Sequence, residues 1–225
     1  ATGPAQSAYE EFGKRYQKAL AADGIEVLLL PSEGSSANLQ LLREGKADLA
    51  FVQGGTAELQ PDDPDLLVSL GSLFHEPVWL FYREESAQRA VKKPSLDALA
   101  DMGRPGDWKL NIGAPGSGVP NLVKRLLEAN RIDPATITLV QQPSTPAVVA
   151  LLAGDIDALV FASAPESPLV QMLLQTPGVR LFDFPQAEAY SRRFAFISPV
   201  TLPRGVVDLA RDMPPANIRM IAPTA

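Results

Sequence analysis

The sequence predicts an α/β fold of two lobes, each a mostly parallel sheet flanked by helices. Three features support this: short continuous apolar runs typical of buried strands, helical periodicity between them, and a restart of the same order in the second half. The chain has 225 residues, 46% hydrophobic and 20% charged, a composition typical of a globular protein with a sizeable core.

The first half alternates helical and strand-like segments. Phe12, Tyr16 and Leu20 share one face of a helix predicted over residues 9–22. A second helix is predicted over residues 37–44, because Gly45 follows as a stop signal. Strands are predicted at residues 25–30, 47–52, 66–70 and 78–82.

The second half repeats that order. Strands are predicted at 110–112, 137–140 and 158–161, and helices at 120–130 and 147–152. Ser7 and Lys14 match identical residues 110 positions later, and Leu42 and Asp48 match residues 109 positions later. The agreement in order favours an internal duplication, or at least two lobes built alike, over a chance similarity of α/β sequences.

A hydroxyl side chain precedes or begins each of the four principal helices. These residues are Ser7, Ser35 or Ser36, Ser117, and Ser144 or Thr145. Ser and Thr cap helix N-termini, so a structural role suffices for some of them. The same loops lie outside the carboxyl ends of the strands, where open α/β sheets bind ligands. We therefore treat them as caps and as candidate ligand contacts.

Composition argues against several other functions. The net charge is −6 without a basic cluster, so a nucleic-acid groove is not expected. There is no cysteine and the single histidine is His75, so neither a zinc site nor a Ser-His-Asp triad is expected. The glycine-rich stretch 113–118 lacks the lysine of a P-loop, and Pro115 interrupts the dinucleotide-binding spacing. We expect a protein with no cofactor, no metal and no catalytic residues.

Several motifs, taken in order, resemble those of the TAXI family, the soluble receptors of TRAP transporters. Residues 1–9 resemble its opening Thr-Gly loop, and residues 33–39 its Ser-x-x-Asn-Leu motif. Residues 47–53 resemble its strand ending in Gln, 111–118 its Gly-Ser-Gly loop, and 155–161 its Ile-Asp-Ala strand. Val119 stands where the family usually has Thr, and Glu10 where it often has a second Tyr. The family also usually continues beyond the equivalent of residue 225, so a longer natural protein is expected.

The resemblance implies a type II periplasmic binding fold with a ligand cleft between the lobes. Lobe I would comprise residues 1–83 and 194–225, and lobe II residues 84–193, joined by crossing strands at 78–82 and 194–199. The implied function is capture of a small anionic ligand, a carboxylate or glutamate-like amino acid, for a membrane transporter. We expect a monomer in the periplasm or another extracytoplasmic space, with a membrane anchor outside this chain left open.

The expected ligand-binding residues combine those carried over from the family's motifs with the hydroxyl and glycine positions of the helix-leading loops. They are Thr2, Ser7, Tyr9, Ser35, Ser36, Asn38, Gln53, Ser117, Gly118 and Thr145. Two alternatives remain: an effector-sensing domain of a regulator with the same fold, and, less favoured, an enzyme on the same scaffold.

Overall fold

A five-stranded sheet forms the centre of the protein. The computed structural model describes residues 1–5, 7–57, 67–104 and 107–225. The strands of the sheet are β1 (Val78–Arg83), β2 (Trp108–Asn111), β3 (Ile137–Val140), β4 (Ala158–Ala162) and β5 (Val179–Leu181). Their order across the sheet is β3-β2-β4-β1-β5. The predictions at 78–82, 110–112, 137–140 and 158–161 are confirmed to within two residues at each end.

The sheet is parallel except for one strand. β2 runs parallel to β3 and β4, whereas β1 pairs antiparallel with both β4 and β5. Two helices connect the parallel strands, α4 (Val119–Ala129) and α5 (Ser144–Ala153). Because parallel strands need long crossover connections, these helices cover the sheet, and the predicted parallel α/β architecture is confirmed here.

Both faces of this sheet are buried. Along β1, Leu80 and Tyr82 point into one core cluster with Trp108 and α4, since successive side chains alternate across a strand. Trp79 and Phe81 point into the opposite cluster, which α5 completes. Five consecutive residues of β1 are therefore buried. Shorter elements surround the sheet: α3 (Glu84–Val91), α6 (Pro168–Leu174), α7 (Ala187–Arg193) and 3₁₀ turns at Leu99–Gly103 and Pro134–Thr136.

The N-terminal part differs from the prediction. Its helices α1 (Ala8–Ala21) and α2 (Ser35–Arg43) form as expected. The strands predicted at 25–30 and 47–52 are wrong, since neither segment joins a ladder. Residues 67–70 are not a strand either, and residue 66 lies outside the described residues. The expectation of a mostly parallel sheet in the first lobe therefore fails for the described residues.

Single hydrogen bonds replace a ladder in the N-terminal part. The Thr2 amide donates to the Leu30 carbonyl at 2.9 Å. The Asn38 side-chain amide donates to the Thr2 and Phe51 carbonyls at 2.6 and 2.7 Å. These acceptors are thus taken by a side chain that lies between the segments. Leu28 remains 77% exposed, so the apolar pattern that predicted a strand does not produce a buried one.

A second, two-stranded antiparallel sheet connects the N-terminal part to the rest. It pairs β6 (Ile197–Leu202) with β7 (Ile218–Pro223), and β6 overlaps the crossing strand expected at 194–199. The end of β7 and the residue after it bind two N-terminal segments, because the Thr224 carbonyl accepts from the Gly54 amide and the Pro223 carbonyl from the Glu76 amide. Within the described residues, no helix combines the length and apolar character needed to cross a membrane.

Candidate functional site

Two loops from different halves of the chain meet directly. We call their contact the seam: residues 34–38 and 53–56 on one side, and residues 116–121 on the other. The Ser36 and Ala37 amides donate to the Gly116 carbonyl at 3.0 and 3.1 Å. The Ser36 hydroxyl donates to the Ser117 carbonyl at 2.8 Å. The seam therefore brings together several of the residues that the sequence predicted as a ligand site.

Glycine makes this close approach possible. Gly34 has a φ of 128°, a conformation that other residues rarely adopt, and it precedes α2 without a side-chain cap. A Cβ at Gly34 would also lie 3.1 Å from the Ser117 Cα. The first amides of α2 consequently bind a protein carbonyl, at a helix end that also favours anions. A ligand carboxylate can reach these amides only after the two loops part.

Tyr9 connects the seam to a carboxylate. Its hydroxyl lies 3.1 Å from the Ser35 hydroxyl and donates to Glu76 Oε2 at 3.1 Å. Ser35 Oγ in turn accepts from the Gln53 amide at 2.9 Å. Burial and the neighbouring Glu76 raise the pKa of Tyr9, so its hydroxyl stays protonated as a donor. The predicted residues Tyr9, Ser35 and Gln53 thus form one network with Glu76, which the sequence did not indicate.

Two buried polar side chains at the seam lack hydrogen-bond partners. Gln53 and Thr56 are 2% and 4% exposed, yet Gln53 Nε2 and Thr56 Oγ1 have no partner among the described residues. Both face Gly118, where a Cβ would lie 2.7 Å from Thr56 Oγ1 and would overlap Gln53 Oε1. Burying an unsatisfied polar group costs about 1–3 kcal/mol, so each such group calls for a partner such as a bound ligand or water.

The N-terminus of α4 lies opposite these two side chains. Gly118 precedes α4 and provides no side-chain cap. Ser117, predicted as a cap or a ligand contact, instead donates its hydroxyl to the Ala114 carbonyl at 2.8 Å. The Asn121 side chain donates to the Thr56 carbonyl across the seam at 3.5 Å. This helix end therefore faces Gln53 and Thr56 without a side chain capping its amides.

The remaining predicted site residues lie elsewhere or have local roles. Ser7 caps α1 by accepting from the Glu10 amide at 3.3 Å. Thr2 and Asn38 are buried and bind backbone groups of the N-terminal part. Thr145 is exposed on α5. In the described part of the chain, no group of three or more acidic or histidine side chains is placed to hold a metal ion.

A surface groove of about 380 Å³ lies at the opposite edge of the five-stranded sheet. Arg83, Leu151 and Gly178 are among its lining residues. Arg83 lies at the end of β1, whose first residue is paired with the last residue of β4. The groove therefore lies at the amino end of the parallel strand β4. Ligands of open α/β sheets bind beyond the carboxyl ends of the parallel strands, so this groove is not the expected ligand site.

Glu76 has an altered pKa. Burial raises it to about 6, although the hydrogen bond from Tyr9 acts in the opposite direction. Because the folded pKa exceeds the ordinary value of 4.5, the native protein binds more protons than the unfolded chain between these values. Glu76 therefore contributes less stability as the pH rises from 4.5 to 6.

We expect Glu76→Gln to raise the free energy of unfolding by about 1–2 kcal/mol above pH 6, since a neutral amide needs no desolvation of charge. The gain should shrink toward zero as the pH falls below 4.5. Urea denaturation between pH 4.5 and 8 measures it. Glu26→Gln, at an exposed position, is the control. A gain independent of pH would contradict the assignment.

Comparisons with known proteins agree on family and fold. A model of the NMT1-like family matches residues 1–217. Among proteins with curated functions, no sequence matches. An ancestral amino acid-binding protein, described as a precursor of cyclohexadienyl dehydratase, is 18% identical and matches with a TM-score of 0.50. The match covers 77% of this chain and 66% of the ancestral protein, so the chain spans about two thirds of that protein's length.

Two further solved structures are similar. The GluR0 ligand-binding core in complex with L-glutamate is 11% identical over 81% of this chain and 76% of its own, with a TM-score of 0.50. The CcmR regulatory domain of Synechocystis PCC6803 in complex with 2-PG is 14% identical over 96% of this chain and 83% of its own, with a TM-score of 0.49. At such identities the likeness concerns the fold, which is the type II periplasmic binding fold.

Proposed function

The chain belongs to the NMT1-like family, and we propose that it is a non-catalytic solute-binding protein that captures a small carboxylate or amino-acid-like metabolite between its two lobes. The lobes would comprise residues 1–83 with 194–225, and residues 84–193. The finer proposal, from the resemblance described above, is a monomeric receptor of the TAXI type that works outside the cytoplasm. It would deliver its ligand to a TRAP transporter in the membrane.

One observation supports capture at the seam above all others: the buried, unpartnered Gln53 Nε2 and Thr56 Oγ1. An amide nitrogen and a hydroxyl can both donate to a carboxylate oxygen. Thr56 Oγ1 and the Gln53 side chain lie at the N-terminus of α4, where free amides and the helix dipole favour negative charge. A ligand carboxylate placed between them would satisfy groups that the protein leaves unpaired.

Ligand entry requires the seam to open, because Gly118 contacts Gln53 and Thr56 directly. The hydrogen bonds from Ser36 and Ala37 to Gly116 would break on opening. β1 leads from the N-terminal part into the five-stranded sheet, and β6 and β7 connect the C-terminal residues back to it. Hinge motion about a few such crossing segments is how two-lobed proteins close around ligands.

The direct test is calorimetry of refolded, ligand-stripped protein against a panel of carboxylates and amino acids, with mass spectrometry of the compound that co-purifies. Binding should also raise the thermal midpoint by mass action. If neither the panel nor co-purification yields a ligand, the capture proposal fails. Fractionation of cells expressing the full-length natural protein tests the location, for which we expect the extracytoplasmic fraction.

Gln53→Ala should weaken ligand binding about 10–100-fold, since it removes a buried donor to the carboxylate. The unfolding free energy should change little, because the removed amide nitrogen has no partner in the fold. Gln40→Ala is the matched control, as Gln40 is exposed on α2. Equal affinities of the Gln53→Ala and Gln40→Ala variants would exclude Gln53 from the site. Thr56→Val, which replaces only the hydroxyl, should weaken binding in the same direction.

A further inference from the structure

Glu76 is a carboxylate that Tyr9 connects to the seam. Its Oε2 accepts from the Tyr9 hydroxyl, and none of the described residues forms an ion pair with it. It lies two residues before the buried strand β1, and its amide is bound to the Pro223 carbonyl. The hydrogen bond of its amide and the following strand β1 therefore hold the backbone of Glu76 in place, although no cation balances its charge among the described residues. A buried carboxylate without a cation is costly, and proteins usually supply one.

The ring of Tyr9, whose hydroxyl binds this carboxylate, packs among other aromatic side chains. Tyr9 stacks on Phe51 with 5.7 Å between ring centroids, and it lies 6.0 Å from Phe74 in a tilted arrangement. Aromatic faces attract cations but offer nothing to a second anion. The aromatic cluster around Tyr9 thus suits a positively charged group better than a second anion.

The position of Glu76 relative to the proposed carboxylate site is also defined. Three hydrogen bonds lead from Glu76 through Tyr9 and Ser35 to the Gln53 amide. The Gln53 side chain then reaches Gly118 before α4 with its Oε1, and its Nε2 is the atom without a partner among the described residues. Gln53 is thus shared by the proposed anion site and by the hydrogen-bonded chain that ends at the Glu76 carboxylate.

We infer that the ligand carries a protonated amine that pairs with Glu76, in addition to a carboxylate bound at Gln53, Thr56 and the α4 N-terminus. This rests on the proposed capture function and narrows its ligand class to amino acids and similar zwitterions. Dicarboxylates without an amine are excluded as preferred ligands. The raised pKa of Glu76 fits such a partner, because a ligand cation would stabilise the charged carboxylate that burial disfavours.

The test is calorimetry at pH 8 on matched compounds that differ by the amine: L-glutamate with glutarate, L-alanine with propanoate, and 4-aminobutanoate with butanoate. In at least one pair we expect the amine compound to bind 100-fold or more tightly than its deaminated partner. Glu76→Gln should reduce that ratio below about 10-fold, mainly by weakening the amine compound. Glu76→Asp, which keeps the charge, should retain part of the preference. Glu11→Gln, exposed on α1, should retain all of it.

Each outcome decides the inference. Equal binding of both members of every pair that binds, or an unchanged ratio in Glu76→Gln, overturns it while leaving the capture function intact. Binding of none of the six compounds, together with no co-purified ligand, overturns the capture function and the inference with it. A co-purified ligand without an amine or another cationic group overturns the inference alone. Thermal denaturation of each variant confirms that it is folded, and Glu76→Asp replaces Glu76→Gln if the latter is not.

Discussion

Replacement of Asp157 by alanine is expected to lower the free energy of unfolding by about 3–5 kcal/mol. The Asp157 carboxylate accepts from Ser86 at 2.5 Å, from Arg89 at 2.7 Å and from the Lys109 amide at 2.8 Å. These groups belong to α3 and β2, and Asp157 itself directly precedes β4. The side chain therefore connects three elements of the five-stranded sheet at one buried point.

The loss of stability should be large because the donors that bind Asp157 cannot all form hydrogen bonds to water once its carboxylate is removed. Ser86 is fully buried, and an unsatisfied buried hydroxyl or amide costs about 1–3 kcal/mol. Burial alone would raise the pKa of Asp157, but the hydrogen bonds from Ser86, Lys109 and Arg89 outweigh it and lower the pKa. The stabilisation by Asp157 is thus present at neutral pH and is lost as the pH falls through its folded pKa.

Urea denaturation at pH 7 measures the effect. Asp155→Ala is the control, because Asp155 is exposed two residues away. We expect that variant to change stability by less than about 0.5 kcal/mol. A similar loss in both variants would show that charge near this turn, and not the buried hydrogen bonds, is responsible.

Gly118→Ala should weaken ligand binding about 100-fold and lower the unfolding free energy by about 1–3 kcal/mol, because its Cβ overlaps the buried Gln53 side chain. Gly118 has an ordinary φ of −80°, so alanine fits its backbone without strain. Its Cβ would instead occupy the space between the α4 N-terminus, Gln53 and Thr56. The proposed carboxylate position would then be filled, and the loops would not close around a ligand.

Calorimetry with the best ligand of the panel measures affinity, and small-angle scattering measures closure. Gly103→Ala is the control, because it also adds one methyl group at an ordinary φ but lies beside Ile132, away from the seam. An unchanged affinity in Gly118→Ala would move the ligand site away from the α4 N-terminus.

The sequence predicted the five-stranded sheet well because its strands are buried on both faces. β1 and β4 are almost entirely apolar runs, and the crossover helices between the parallel strands leave few other arrangements. The runs at 25–30 and 47–52 have the same local pattern but remain unpaired. Strand pairing is a nonlocal property, and here the Asn38 side chain from α2 takes the Phe51 carbonyl while the Leu30 carbonyl accepts from the Thr2 amide. The short elements α6, α7 and β5 have too few residues to show periodicity.

The candidate site was predictable only in part, and for a similar reason. Hydroxyls and glycines at helix starts mark the loops of an α/β sheet, so Ser35, Ser36 and Gly118 could be found from their positions. Glu76 could not, since its role depends on Tyr9, which lies 67 residues earlier in the chain. Thr2 and Asn38 have the polar character of ligand contacts, but the N-terminal part uses them to satisfy its own backbone.

The hydrogen bonds from the α2 amides to Gly116 have a consequence for selectivity. A protein carbonyl in that position is an intramolecular competitor, present at a fixed effective concentration regardless of which solute arrives. If only a fraction of molecules has the loops parted, every solute's apparent dissociation constant rises by the same factor. The contact thus sets a threshold of affinity without altering the ranking of solutes. Abundant weak binders fall below that threshold, and the ranking itself is left to the groups on either side of the seam.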